Sequence, residues 1–383
     1  MMSRRDVNAG NSFQLLVGAD AFVREFTASL RDCRKNLYVQ FSTFEGDDGG
    51  KRVAHLMMEA ARAGVDVRLI VDCYSDVVVN DTYPLSLHHC GELRAERAAT
   101  YALYDQMCNC GIEIQRTAPA GFLGMYMLYR NHKKMVIIDE TTAFVGGLCV
   151  SDHNFSWHDF VVKIQGDLVK DILCDFSSTW VGKTQPLDKV ASVGDFVLNQ
   201  CAGRSTIFQH ILNLIETAQE SIVIESPYLL GDQLESKLRQ AAEHGVQVTL
   251  IMPFHSNQLM YRVWVRHLRK FLDHPNVRIF GIQGENNMTH AKLIVVDGKW
   301  AGFGSYNMFE LEGLTQKDLT VFSDNPDLLR QFHQLIEDDL RNSVLLEVPH
   351  RTWGRSSYRL IHSFFRWWTG RLVRNEQWLA VYG

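Results

Sequence analysis

Residues 131–148 read NHKKMVIIDETTAFVGGL, and residues 289–306 read THAKLIVVDGKWAGFGSY. The second stretch repeats the His, Lys, Asp and Gly residues of the first at a constant offset of 158 residues. In each copy an apolar run follows the Lys and ends at the Asp, which is typical of a buried β-strand. This internal repeat indicates that the chain consists of two related halves.

The repeat extends upstream of these motifs. The run NLYVQFSTF (36–44) resembles SIVIESPYL (221–229), and both are rich in residues that favour buried strands. Each run is followed by a helical pattern that ends at a glycine, Gly64 or Gly245, where a helix C′ residue is expected. Another strand pattern follows each glycine. Alternating strands and helices predict an α/β fold in each half.

The 383-residue chain has the length of two ordinary domains, and its apolar fraction of 46% is sufficient for a sizeable core. A segment near 181–205 has turn residues and no strong periodicity, which indicates the boundary between the halves. We therefore predict an N-terminal lobe over 1–185, a C-terminal lobe over 200–345 and an aromatic and basic tail over 346–383.

The motif residues supply the groups that phosphodiester chemistry needs. Residues two apart on a strand point to the same side, so His132 and Lys134 share a face, as do His290 and Lys292. Two lysines can neutralise the non-bridging oxygens and the charge that grows on them in the transition state. One His can attack phosphorus while the other protonates the leaving alkoxide and later deprotonates the incoming hydroxyl. This reaction needs neither a metal nor a cofactor.

Residues that follow the motif strands are candidates for substrate binding. Glycines at the strand ends, among them Gly147, would let a backbone turn pass close to a ligand. In the second copy, Ser305 and Asn307 add hydroxyl and amide donors. We predict that Gly147, Ser305 and Asn307 form part of the substrate-binding site.

Four carboxylates accompany the motifs. Asp139 and Asp297 end their strands, and a role as turn anchors is favoured for them over participation in the chemistry. Asp159 and Asp318 align in the later strands HDFVVKI and KDLTVFS and are candidates for orienting the histidines, with a solvated strand end as the alternative. The predicted catalytic set is His132, Lys134, Asp139, Asp159, His290, Lys292, Asp297 and Asp318.

The pair of H-x-K-x4-D-x6-G-[GS] motifs resembles the phospholipase D superfamily. The stretches NHKKMVIIDETTAFVGGLCVSD and HAKLIVVDGKWAGFGSYNM, together with IESPYLLGD at 224–232, are most similar to bacterial cardiolipin synthases. The resemblance spans about residues 12–340. It implies two α/β lobes related by a pseudo-two-fold axis, with the active site at their interface.

The resemblance also implies residue roles. His132 would be the nucleophile and His290 the general acid and base, although pseudo-symmetry leaves the reverse assignment open. Asp318 would orient His132, and Asp159 would orient His290. Phosphate binding would fall to Lys134, Lys292, Ser305 and Asn307. Cys149 departs from the family pattern, which usually has Asn at this position, so the first half lacks one phosphate-side amide.

The implied function is transfer of a phosphatidyl group, through a phosphohistidine, to the hydroxyl of a second phospholipid. Phosphatidylglycerol is the expected substrate, and the headgroup alcohol is released. The alternatives are a phospholipase D that forms phosphatidic acid, a nuclease of the same superfamily and a non-catalytic lipid-binding adaptor. The net charge of −5 argues against a nucleic-acid partner, and the intact motif pair argues against the adaptor. Only product analysis separates transfer from hydrolysis, and the oligomeric state is left open.

A lipid substrate requires contact with a membrane surface. We find no signal peptide and no run of 18 apolar residues, and therefore predict a cytoplasmic protein, peripheral on the inner face of the cell membrane. Two aromatic segments, 121–130 and the tail, have the composition of interfacial membrane contacts, with packing onto the core as the alternative. The predicted contact residues are Phe122, Tyr126, Phe364, Phe365, Trp367 and Trp368.

The eight cysteines are scattered and show no repeated metal-ligand spacing. This pattern favours structural thiols in a reducing compartment.

Overall fold

A computed structural model of the protein describes residues 10–79, 87–119, 129–183, 185–201, 204–229, 231–254, 268, 272–283, 288–310 and 312–346. The six predicted membrane-contact residues and the predicted tail beyond residue 346 lie outside these described residues. No helix in the described part of the chain is long and apolar enough to cross a bilayer.

The described residues of the first half contain eight strands, of which β5 joins the sheet of the second half. They are β1 (Ser12–Val17), β2 (Asn36–Phe41), β3 (Asp66–Asp72), β4 (Glu113–Thr117), β5 (Arg130–Asn131), β6 (Met135–Ile138), β7 (Thr142–Gly146) and β8 (Phe160–Gln165). The helices of this half are α1 (Ala19–Leu30), α2 (Asp48–Arg62), α3 (Leu87–Asn109), α4 (Asp152–Phe155) and α5 (Leu168–Trp180), with a 3-10 turn at Cys73–Asp76.

The second half repeats this series. Its strands are β9 (Phe196–Gln200), β10 (Ser221–Glu225), β11 (Gln247–Pro253), β12 (Val277–Ile282), β13 (Leu293–Val296), β14 (Trp300–Gly304), β15 (Gln316–Ser323) and β16 (Ser343–Leu345). Its described helices are α6 (Thr206–Thr217), α7 (Asp232–Glu243), α8 (Glu312–Thr315) and α9 (Pro326–Arg341).

The two sheets have the same topology. The first has the order β1-β8-β7-β6-β2-β3-β4, and the second contains the equivalent order β9-β15-β14-β13-β10-β11-β12. In both, three strands pair in parallel (β2, β3, β4 and β10, β11, β12) while the remaining pairings in these series are antiparallel. The prediction of an α/β fold with two pseudo-symmetric lobes is confirmed.

Three apolar clusters form the core of the described residues. One packs α1, α2 and α3 on the outer side of the first sheet, and a second packs α6 and α7 on the second sheet. The third lies between the sheets and includes α5 and α9. The motif strands explain this arrangement, because Met135 and Ile137 enter the central cluster whereas Val136 and Ile138 enter the outer one. Alternation along a strand thus buries both faces.

The motif histidines do not lie on the motif strands. β6 begins at Met135 and β13 at Leu293, so His132 and His290 precede them. The backbone N–H of His132 donates to the carbonyl of Lys317, at 2.8 Å, and that of His290 donates to His158, at 2.7 Å. Each histidine is therefore hydrogen-bonded to the opposite lobe. The expectation that His and Lys share a strand face is corrected, because these segments leave their own sheet and cross the interface.

Asp139 and Asp297 hold equivalent turns. The carboxylate of Asp139 accepts hydrogen bonds from three consecutive backbone N–H groups, at residues 34–36, and that of Asp297 accepts three from residues 219–221. Both residues have positive φ, 50° and 52°, which is uncommon for non-glycine residues. The bonds of Asp139 hold the start of β2 beside the end of β6, and those of Asp297 hold the start of β10 beside the end of β13. The turn-anchor interpretation is therefore favoured over placing these two residues in the catalytic set.

Two glycine positions show why the repeat includes glycine. Gly64 and Gly245 follow α2 and α7 with φ of 90° and 96°, as expected of C′ residues. Gly304 has φ of 156°, and a Cβ there would lie 2.2 Å from the carbonyl oxygen of Leu319 on the next strand. Glycine at 304 is thus required by close backbone approach.

Replacing Asp297 with Ala should destabilise the fold without removing a catalytic group. Three backbone donors lose a charged acceptor, and we expect a loss of about 1–3 kcal/mol in the free energy of unfolding. Chemical denaturation measures this loss, with the exposed neighbour Lys299→Ala as the control. The anchoring role would be contradicted if folded Asp297→Ala protein turned over substrate more slowly than the parent by about two orders of magnitude, which is the loss expected of a catalytic group.

Candidate active site

The two motif histidines each hydrogen-bond a carboxylate from the other lobe. His132 Nδ1 lies 3.0 Å from Asp318 Oδ1, and His290 Nδ1 lies 2.8 Å from Asp159 Oδ2. An ionised carboxylate only accepts, so Nδ1 carries the hydrogen in each neutral ring and Nε2 keeps its lone pair. Below, each His with its Asp is called a dyad. The arrangement leaves one basic nitrogen per histidine for chemistry.

Burial keeps both histidines neutral. It lowers the pKa of His132 to about 4, and the nearby Lys134 charge acts in the same direction. Burial and the charge of Lys292 lower the pKa of His290 well below its ordinary value. Both rings are therefore unprotonated near pH 7, as a nucleophile requires.

The two motif lysines are buried in equivalent positions. Lys134 Nζ donates to the carbonyl of His132 and Lys292 Nζ donates to that of His290, each at 2.6 Å. Their exposed fractions are only 2% and 1%. Burial, with Lys134 as a neighbouring charge, lowers the pKa of Lys292 to about 8. Two ammonium groups held this close to two neutral imidazoles form an anion-binding site, which suits a phosphodiester.

The two dyads differ in how their carboxylates are held. Asp318 Oδ1 also accepts from the Ser305 hydroxyl, at 2.8 Å, and Asp318 Oδ2 accepts from Gln200 Nε2, at 3.4 Å. Although burial opposes ionisation, the hydrogen bond from His132 and the charge of Lys134 hold the pKa of Asp318 below its ordinary value. Burial raises the pKa of Asp159 to about 6. Asp318 is therefore the more firmly ionised partner.

The predicted substrate-binding residues occupy supporting positions. Gly147 is the equivalent of Ser305, and a Cβ at Gly147 would lie 2.6 Å from Asp159 Oδ1. The Ser305 hydroxyl hydrogen is directed to Asp318, so that side chain positions a dyad in this structure. Asn307 Nδ2 donates to Glu312 Oε2 at 2.8 Å. Phosphate contact by these three residues stays a prediction.

Several residues at the site have no signal in the motif pair. Gln200 lies on β9, and Glu312 begins α8; burial and the charge of Asp318 raise the pKa of Glu312 to about 8. The Trp157 ring lies 5.1 Å from the His290 ring, centroid to centroid. Cys149, where the family pattern has Asn, is buried with its Sγ 3.2 Å from the Ser42 hydroxyl. For Trp157, the signal that could have found it is its place in the WHD tripeptide at 157–159.

The eight cysteines are all free thiols in the structure.

The fold is shared with two solved structures. Phosphatidylserine synthase from Haemophilus influenzae superimposes with a TM-score of 0.68 and 16% identity, covering 95% of this chain and 94% of that chain. Polyphosphate kinase from Porphyromonas gingivalis superimposes with a TM-score of 0.59 and 14% identity, covering 94% of this chain and 53% of that chain. At these identities the likeness establishes a shared architecture: the chain is a bilobal protein of this α/β class.

The sequence matches the family model described as "Cardiolipin synthase, PLD-like domain" over residues 26–180 and 211–340. Similar curated proteins include probable cardiolipin synthase YwiE of Bacillus subtilis, 23% identical over 89% of this chain and 68% of that protein. Cardiolipin synthase A of Yersinia pseudotuberculosis is 24% identical, over 94% of this chain and 77% of that protein. The chain belongs to the phospholipase D-like family of cardiolipin synthases, which confirms the predicted resemblance.

Replacing Asp318 with Asn should remove activity while leaving the fold intact. An amide in place of the carboxylate no longer fixes the Nδ1–H form of His132, and we expect kcat to fall about 10²–10⁴-fold. Steady-state kinetics and thermal unfolding measure the effect. The control is Asp327→Asn, which removes an exposed ion pair with Arg330 on α9. Its kcat and thermal stability should match those of the parent protein. A loss confined to KM would contradict the proposed orientation of His132.

Activity should fall on the alkaline side as Lys292 loses its proton. Its pKa of about 8 means that the ammonium charge is present below that pH and is lost as the pH rises through it. We expect kcat/KM to decline above pH 8 with a slope near −1, because one phosphate-binding charge disappears. Lys292→Arg retains its charge and should lack this decline. A parent profile that stays flat to pH 9.5 would contradict the prediction.

Proposed function

We propose that the protein is a phosphatidyltransferase of cardiolipin-synthase type that uses phosphatidylglycerol as donor and acceptor. The observation that carries this proposal is the pair of reciprocal His–Asp dyads, held at one interface with two buried lysines. Membership of the cardiolipin synthase family supports the choice of a phospholipid among phosphodiesters.

In the first step, Nε2 of His132 attacks the phosphorus of phosphatidylglycerol. A P–N bond forms, the P–O bond to the headgroup breaks, and His290 gives its proton to the departing glycerol oxygen. The negative charge of the bound diester favours protonation of His290, whose pKa is low in the free protein. Lys134 and Lys292 neutralise the oxygens of phosphorus. The product of this step is a phosphatidyl-histidine.

In the second step, His290 takes the proton of a hydroxyl on a second phosphatidylglycerol. The resulting oxygen attacks phosphorus, the P–N bond breaks, and His132 is released as neutral imidazole. Cardiolipin leaves, and the net reaction consumes two phosphatidylglycerol molecules to give cardiolipin and glycerol. Water in place of this hydroxyl would give phosphatidic acid instead.

The difference between the dyads supports His132 as the nucleophile. A phosphorylated imidazole carries positive charge that a firmly ionised carboxylate on Nδ1 stabilises. Asp318 receives three side-chain hydrogen bonds and keeps a low pKa, whereas the pKa of Asp159 is raised to about 6. His290, with the less firmly ionised partner, is assigned to proton transfer.

The site must meet lipid at a membrane surface, and we place the protein on the inner face of the cell membrane. Segment 121–130, which contains Phe122 and Tyr126, lies just before the motif that carries His132 in the sequence. The aromatic and basic tail provides a second contact through Phe364, Phe365, Trp367 and Trp368.

The test is incubation of the purified protein with phosphatidylglycerol vesicles and product analysis by mass spectrometry, in the presence of a chelator. We expect cardiolipin and glycerol in equal amounts, absent with His132→Ala, and a phosphatidyl adduct on His132 after acid-free quenching of early time points. Phosphatidic acid alone, also after phosphatidylethanolamine is added as acceptor, would identify a hydrolase. An adduct on His290 would reverse the assignment of the two histidines.

A further inference from the structure

A second cluster of ionisable side chains lies beside the His290 dyad. His158 precedes Asp159, Glu225 is the last residue of β10, and Asp339 lies near the end of α9. His158 Nε2 is 2.9 Å from Asp339 Oδ1 and 3.8 Å from Glu225 Oε1. One donor atom from each residue lies within 4.8 Å of the other two. Three donors of two chemical kinds therefore converge on one point.

Two carboxylate oxygens in this cluster lack a donor. Glu225 is fully buried and Asp339 is 3% exposed, and Glu225 Oε2 and Asp339 Oδ2 have no hydrogen-bond partner among the described residues. The other Glu225 oxygen accepts from the Thr289 hydroxyl. Burying two neighbouring carboxylates is costly unless positive charge compensates them. Burial and the charge of Asp339 raise the pKa of Glu225, so without an ion the cluster keeps a proton that a divalent cation would replace.

The first lobe shows that the fold does not require a charge at the position of Glu225. Gln40 on β2 occupies the position equivalent to Glu225, and its amide donates to Asn131 Oδ1 at 2.8 Å. Asn131 is the equivalent of Thr289. That pair is neutral, so the equivalent hydrogen bond is made by an amide on β2 and by a carboxyl group on β10. The second lobe has a carboxyl group, next to His158 and Asp339, at a position where an amide makes the equivalent hydrogen bond in the first lobe.

We propose that His158, Glu225 and Asp339 bind one divalent cation, and that zinc is the ion that suits these ligands. Imidazole nitrogen and carboxylate oxygen are both donor types that zinc takes in proteins, and the ion would neutralise both carboxylates. His158 Nε2 and the two free carboxylate oxygens are buried, so a water molecule would enter the cluster with the ion as its fourth ligand. The site is separate from the phosphate site and independent of the substrate proposed above.

The ion would affect His290, the proposed general acid, through the residues that hold His290 in place. His158 accepts the backbone hydrogen bond of His290 and is followed directly by Asp159, while Thr289 precedes His290. Fixing His158 and Glu225 therefore fixes both members of the second dyad. These are positioning residues, and no step of the transfer passes through the ion.

The full-length protein, stripped of metal, should bind one equivalent of Zn²⁺ by titration calorimetry and by metal analysis after gel filtration. Zn²⁺ should raise its Tm. Glu225→Gln installs the residue of the first lobe and is expected to fold, and it should weaken Zn²⁺ binding at least tenfold, as should Asp339→Asn. His333→Asn, an exposed histidine on the same helix as Asp339, is the matched control and should bind like the parent.

Cobalt distinguishes this site from the eight thiols. Co²⁺ in a nitrogen and oxygen site gives weak visible bands without the intense near-ultraviolet charge transfer of a thiolate ligand, and these bands should vanish in Glu225→Gln. Absence of stoichiometric Zn²⁺ binding to the parent, or equal binding by parent and Glu225→Gln, would overturn the proposal. In that case a proton shared between the two carboxyls, beside a charged His158, holds the cluster together. Neither result depends on whether cardiolipin is formed.

Discussion

The hydrogen bond from each motif histidine to a carboxylate of the other lobe is the constraint on which the candidate site depends. Neither lobe can form a dyad alone, because Asp318 serves His132 and Asp159 serves His290. Backbone bonds made by the same histidines cross the interface beside these contacts. The relative position of the lobes therefore sets the tautomer and the direction of both rings. The central apolar cluster, which includes α5 and α9, maintains that position.

Burial determines the electrostatic character of this interface. It lowers the pKa of both histidines and of Lys292, so near pH 7 the site holds neutral imidazoles beside two ammonium groups. A buried ion pair also joins the motif segment to α5: Lys133 Nζ lies 2.7 Å from each carboxylate oxygen of Asp175. Asn199 of the second lobe donates to the same carboxylate, which adds a further link across the interface.

The lobes share topology and differ in chemistry at equivalent positions. Ser305 supports Asp318, whereas its equivalent Gly147 only leaves room for Asp159. Such substitutions alter the pKa of a neighbouring group without altering the strands that carry it. Pseudo-symmetry thus supplies two similar histidines, and local differences give their carboxylate partners different pKa values.

The sequence by itself determined the repeat, the α/β lobes, the two His–Lys pairs and the glycines that end helices, because these depend on local periodicity and backbone geometry. It also aligned Asp159 with Asp318. The residues alone left open which carboxylate meets which histidine, and only the family resemblance implied the pairing. The tertiary structure shows that pairing between partners 131 and 186 residues apart. Gln200, Glu312 and the cluster around Glu225 were invisible for the same reason: their roles arise where distant segments meet, and no local pattern records such contacts.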